Sequence, residues 1–244
     1  MQTRTFFYLQ IFFFCFLLLF SINGYGQKNL FAVPSNDSIS RGENFFQPQL
    51  LITDDEINPG LVITHGLGHD FEIGVNIQQV LLQTDKSPVF TTDDKEVGEN
   101  PLVLINIRKG FWIRPWYSIA LGSQTGPAFG PEHSQSGIAT FNYLNNRWSI
   151  PETQNKLILG MYYSNELYSG TGNNLGVMAG LEGVLIKERM TFQADFMSGN
   201  NLMSVINIGL GLNITKDWEF GAAAQLPVPG SSNPRGILFQ LSYN

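Results

Sequence analysis

The sequence predicts an all-β fold: a transmembrane up-and-down antiparallel β-barrel of twelve strands, with ten as the alternative count. Three observations lead there. Apolar side chains alternate with small and polar ones at period two, and no helical period persists beyond a couple of turns. The links between these segments are tight at every second position and longer at the others. One face of the segments is apolar and almost free of charge, while the opposite face carries Asn, Gln, Ser and Gly where a soluble sheet would place Lys and Glu.

The amino terminus must be set aside first. "MQTRTFFYLQIFFFCFLLLFSINGYGQ" has one cation, Arg4, then an unbroken greasy run over 11–20, then small residues. That order is the pattern of a secretory signal peptide over 1–26, cleaved near Gly26. An uncleaved anchor is the rival reading, because the apolar stretch 6–22 approaches the about 17 residues of the shortest spanning helix. Small residues after the run, with no basic stop-transfer cluster, favour cleavage. Cys15 lies inside the greasy core and leaves with the peptide, so the remaining chain has no disulfide, thiolate or cysteine-based metal chemistry.

Composition narrows the class further. The chain has 14 Lys and Arg against 20 Asp and Glu; without Arg4 the balance is 13 against 20, or −7. No block of cations could follow a phosphate backbone, so nucleic acid is not an expected partner. Charged residues are 14% of the chain, well below the roughly 25% of an ordinary soluble domain. Glycine (25 residues) and aromatics (13%) are correspondingly abundant.

Residues 27–43 read as a polar lead or plug segment, and 44–244 as the barrel. Strands are expected near 44–53, 59–67, 70–83, 101–110, 112–124, 136–145, 156–168, 175–187, 189–198, 202–215, 217–226 and 235–243. The first, second and sixth alternate least clearly: Leu61, Ile63 and Leu67 share a face with His65, and Ile138 and Tyr143 fall on opposite faces. Counting from the start, the odd-to-even links hold "DDEIN", "TDKSPVFTTDDKEVGEN", "TGPAFGPEHSQ", "SGTGNN", "SGNN" and "PVPGSSNP". Most even-to-odd links are tight, such as "GHD", "RKG", "KER" and "TKD"; the exception is "NNRWSIPETQ". An outer-membrane barrel produces this asymmetry, with its short turns in the periplasm, whereas a β-sandwich has no reason to.

Side-chain parity then assigns the faces. Phe71, Ile73, Val75 and Ile77 form the apolar row of the third strand; Ile113, Tyr117, Ile119 and Leu121 that of the fifth; Leu157, Leu159, Met161 and Tyr163 that of the seventh. Leu175, Val177 and Leu181 follow, then Phe192 and Phe196, then Ile206, Ile208, Leu210 and Leu212, then Trp218 and Phe220, and finally Ile237, Phe239, Leu241 and Tyr243. Only Lys187 and Arg235, at strand ends, bring charge to this face. Exposing a Leu or Phe to water forgoes roughly 1.5–3 kcal/mol of burial, and turning an Arg or Lys to mid-bilayer lipid costs about 2–4 kcal/mol. The greasy row therefore faces lipid. Strand-end aromatics, among them Trp148, Trp218 and Tyr243, supply interfacial girdles.

The closing stretch "GLNITKDWEFGAAAQLPVPGSSNPRGILFQLSYN" resembles the carboxy-terminal hairpin and last strand of bacterial outer-membrane β-barrels. "GLGHDFEIGVNIQ" is similar to the turn-and-strand unit of the transporter-like barrels grouped with the meta-pathway phenol-degradation family. The resemblance covers most of 44–244 and implies small-molecule passage, without naming a solute. Such barrels commonly end in an aromatic residue read by the outer-membrane insertion machinery; here Tyr243 is penultimate and Asn244 last.

Candidate chemistry is sparse. His65 and His69 flank a short turn and His133 sits in an outer loop, a set that reads as turn and loop histidines instead of metal ligands; no metal or cofactor is expected. A lipid hydrolase would need a base beside its nucleophile at the outer leaflet, and neither His65 nor His133 is so placed. The acids Asp85, Asp93, Asp94, Glu96 and Glu99 lack calcium-loop spacing and read as solvated charge. Glu72, Arg108, Arg114, Glu166, Glu182, Asp195 and Glu219 are the candidate bore-lining residues, five acids to two bases. An open channel so lined would favour cations or neutral solutes; acids and arginines paired across a narrow bore would plug it. The expectation is thus an outer-membrane barrel, not an enzyme, passing small solutes that could be hydrophobic. Its partners would be outer-membrane lipid, an unidentified small solute and the insertion machinery. A non-transporting structural or surface-binding barrel is the alternative.

Overall fold

In the computed structural model, residues 29–54, 56–80, 82–83, 100–129, 137–231 and 233–243 are described. The signal-peptide reading over 1–26, His133 and the acids of the 84–99 stretch lie outside them. Twelve strands close into one antiparallel ring: β1 (Asn44–Thr53), β2 (Glu56–Gly68), β3 (Phe71–Gln78), β5 (Leu102–Arg114), β6 (Tyr117–Ala128), β7 (Gly137–Ile150), β8 (Asn155–Ser164), β9 (Leu175–Ile186), β10 (Met190–Met197), β11 (Val205–Asn213), β12 (Trp218–Pro227) and β13 (Gly236–Tyr243). A two-residue strand, β4 (Leu82–Gln83), pairs with the start of β2 beside the ring. Each barrel strand pairs with its sequence neighbours, and β1 pairs with both β2 and β13, so the ring has no open edge.

The turns follow local chemistry. His69 and Asp70 both take positive φ, 53° and 58°, as a two-residue hairpin that matches strand twist requires. The long link "NNRWSIPETQ" is not a loop: β7 runs to Ile150, with Arg147 opposite Ser118 and Ser149 opposite Lys156, leaving only 151–154 as the turn. Asn145, Asn146 and Arg147 are polar on both faces, which hides the strand from an alternation test. At the other end the seventh expected strand is shorter. Asn165 donates from Nδ2 to the Ile138 carbonyl at 2.7 Å and accepts the Thr140 amide at 3.0 Å, closing the ladder after Ser164. The chain then makes one helical turn, α1 (Glu166–Ser169), ended by Gly170 at φ 69°.

The outward rows are those expected from parity. Leu175 (71% exposed), Met161 and Ile138 project outward from the ring. At the short-turn end Tyr117 packs on Trp148 at 5.3 Å and Trp218 on Tyr243 at 4.8 Å, ring pairs contributed by adjacent strands. The bore differs from a uniformly wet interior. Phe141, Tyr143, Tyr162 and Tyr168 form, with Leu102, Leu104 and Met178, a buried apolar cluster along one side of it. A Cβ on Gly122 would stand 2.2 Å from the Tyr143 ring, so the ring lies in the gap that this glycine leaves.

An outward Ile208→Arg at the middle of β11 should lower barrel stability by about 2–4 kcal/mol, measured by urea unfolding in lipid vesicles; an unchanged midpoint would refute the lipid-facing assignment.

Candidate functional site

The bore is not empty. Residues 29–43 enter it, make a tight reversal in which Asn29 bridges Pro34, and run toward the short-turn end, where β1 begins. Leu30, Phe31, Val33 and Ile39 are buried against the inner wall. Three successive backbone amides, those of Phe31, Ala32 and Val33, donate to one Asp195 oxygen, Oδ2, at 2.8, 2.7 and 3.1 Å. The other oxygen accepts from Asn207 at 2.7 Å. Four charge-assisted bonds, each stronger than a neutral hydrogen bond, hold this carboxylate, beside which no cation stands among the described residues. The wall is cut to fit: a Cβ on Gly66 would stand 2.1 Å from the Ser40 carbonyl oxygen, and one on Gly180 2.5 Å from Leu30 Cδ1.

Lower down, charges meet in pairs. Glu72 and Arg108 lie directly opposite on β3 and β5, 2.5 Å apart and wholly buried, and Glu72 also accepts the Ile39 amide at 2.7 Å. Asp37 of the amino-terminal segment pairs with Arg147 and, at 2.8 Å, with Lys156; Lys156 in turn reaches Glu182 at 3.1 Å. Gln193 donates to Glu219 at 2.8 Å. Glu72, Arg108, Glu182, Asp195 and Glu219 thus all occupy the bore.

Two of the seven candidates stand elsewhere. Arg114 ends β5 beyond a register shift between Trp112 and Arg114, beside the 115–116 turn, and is exposed. Glu166 is exposed on the first turn of α1, because Asn165 ends β8 before the parity can continue. Sequence reasoning missed Arg147 and Lys156, one assigned to a loop and the other to a strand start, and it missed Asp37. The signal for them was present. Five acids against two bases in a narrow bore demand further cations or donors, and Arg147, Lys156 and the amides of residues 31–33 and 39 are those groups.

The outer end is a different environment. Tyr168, carried inward by α1, stacks on Phe141 at 5.1 Å and donates its hydroxyl toward Gln124 at 2.9 Å and Gln78 at 3.1 Å. Burial pushes the Tyr168 phenol well above its ordinary range, so it stays a neutral donor. Asn233 ties the outer links together, donating to the carbonyls of Asn201 at 3.0 Å and Ser204 at 2.9 Å. Beneath them is a cavity of about 250 Å³ with Asn29, Phe31 and Ala32 as its floor. His65 bonds Asn44 at 2.8 Å near the opposite end. Among the described residues no His, Cys, Asp and Glu cluster has the arrangement of a metal site.

Solved structures share the architecture of this twelve-stranded ring. A structure of KdgM porin matches with a TM-score of 0.58 at 11% identity, covering 82% of this chain and 98% of that one. KdgM porin in complex with disordered oligogalacturonate matches with a TM-score of 0.57 at 12% identity, over the same shares. The fold is a porin-type barrel. No protein-family model matches the chain, and no curated protein matches its sequence.

Arg108→Met should destabilise the porin-type barrel by about 3–5 kcal/mol, because it leaves the Glu72 carboxylate buried without its cation. The double variant Arg108→Met/Glu72→Leu should recover most of the loss in the same vesicle unfolding assay. Equal destabilisation in single and double variants would show that the pair is not the cause.

Proposed function

We propose that this chain is a non-enzymatic barrel of the bacterial outer membrane that lets small solutes pass, and that residues 29–43 obstruct the bore in the resting state. The closed ring, apolar outside and polar within, carries the reading: its architecture is that of a porin-type barrel, which encloses a polar interior within lipid. The likeness to porin structures supports the same fold-level reading, and the similarity of "GLGHDFEIGVNIQ" to the transporter-like barrels of the meta-pathway phenol-degradation family supports passage of small molecules. Lipid around the ring and the insertion machinery at the final strand are the partners this reading requires.

The solute is read from charge. One structural neighbour holds oligogalacturonate, but in this bore Arg108, Arg147 and Lys156 are each already paired with a carboxylate. Among the described residues of the bore, an anionic solute would meet cations that its own binding must first strip from their partners. We therefore read the solute as uncharged.

A structural barrel is the second reading, favoured by how completely the amino-terminal segment is bonded into the wall. Conductance in planar bilayers separates the two. Gly66→Val should push Ser40 and Ile39 out of their seat, releasing the Ile39 amide from Glu72 while replacing no charged residue, and should raise single-channel conductance several-fold over the wild type. Silent bilayers from both proteins, each still folded by heat-modifiable gel mobility, would support the structural barrel and overturn passage.

A further inference from the structure

We infer that the outer half of the bore is a binding cup for a small, uncharged, polyhydroxylated solute, with the amino-terminal segment as its floor. The inference rests on the passage reading and adds to it the site where solute first stops and the chemistry of what stops there.

The cup is set apart by its charge. The paired carboxylates and cations of the bore are gathered near the short turns: Glu72 is the second residue of β3, Lys156 of β8 and Glu219 of β12. Among the described residues of the lining above the floor, Glu56 at the outer start of β2 is the one ionisable carboxylate or cation. The remaining polar lining consists mainly of side-chain amides, including Gln49, Gln78, Gln124 and Asn207. An amide presents both a donor and an acceptor, which matches a hydroxyl group, itself both, better than a carboxylate or an ammonium.

The cup also has an apolar side. Phe31 of the floor packs with Leu238 and Leu51 of the wall, opposite the Gln78, Gln124 and Tyr168 group. A ring with hydroxyl groups at its edge and C–H groups on its faces satisfies both sides at once. The volume of about 250 Å³ falls below the roughly 300–1,000 Å³ of pockets for drug-sized ligands, so the occupant is about one ring in size. The floor is well fixed: Gln49 donates to the Phe31 carbonyl at 3.0 Å from the wall, and Asp195 holds the same residue's amide from below. Solute therefore binds before anything moves beneath it.

The probes are methyl β-glucoside and methyl β-glucuronide, one ring with and without a carboxylate, titrated calorimetrically into the full barrel in detergent. Saturable binding of the glucoside at least tenfold tighter than the glucuronide is expected, a difference of about 1.4 kcal/mol. A Cβ on Gly60 would meet nothing closer than 3.6 Å, so Gly60→Phe should fill the cup without breaking the wall and reduce glucoside binding at least tenfold. Ala32→Phe fills it from the floor and leaves every barrel strand unaltered, which covers the case in which Gly60→Phe does not fold. Absence of saturable glucoside binding, equal binding of both probes, or binding unaffected by Ala32→Phe would each overturn the cup. Bilayer conductance without saturable binding would remove the cup and leave passage standing; binding in a silent barrel would remove passage and leave the cup.

Discussion

The constraint on which the structure depends is that hydrocarbon offers no partner for a backbone N–H or C=O. A sheet in that medium must close on itself, since each unsatisfied group costs several kcal/mol. Here closure is the double pairing of β1, to β13 through contacts such as Leu50 with Phe239 and to β2 through Phe46 with Ile63. Once the ring exists, strand geometry sends successive side chains to opposite faces. Ile206, Ile208 and Leu210 go to lipid and Val205, Asn207 and Gly209 to the bore without further choice.

A twelve-stranded ring leaves a narrow interior, and whatever enters it must be packed and paired. The amino-terminal segment is accommodated on both counts. Glycines on the wall leave the space it occupies, while Asp195, Glu72, Arg147 and Lys156 accept or neutralise its polar groups. The interactions are reciprocal: Asp37 pairs with both Arg147 and Lys156, and Asp195, beside which no cation stands among the described residues, accepts from three amides of the segment. Wall and segment are one electrostatic system.

The two ends of the bore consequently differ. Paired charge collects near the short turns, where the segment and β1 meet. Uncharged amides and aromatic rings collect near the long links, where α1 folds Tyr168 back over Phe141. Among the described residues, the lining nearest the long links carries, besides Glu56, uncharged hydrogen-bonding groups, and the ion pairs lie below it.

The sequence by itself determined the ring. Alternation in β3, β8, β9 and β11 sets the outer face residue by residue, because a period of two leaves only one way to keep charge out of lipid. It also placed Glu72, Arg108, Glu182, Asp195 and Glu219 on the inner face. It did not reveal β7 beyond Asn145, where both faces are polar, or the end of β8 at Ser164, where Asn165 bonds a strand that lies 25 residues away. It offered residues 27–43 as a lead or a plug without deciding between the two, and only the closed ring places 29–43 in the bore. That segment has no period of its own, and its seat is made of groups from β2, β3, β7, β8 and β10 that only the closed ring brings within hydrogen-bond reach. Local pattern decides which way a side chain points; what it points at is decided when the first strand meets the last.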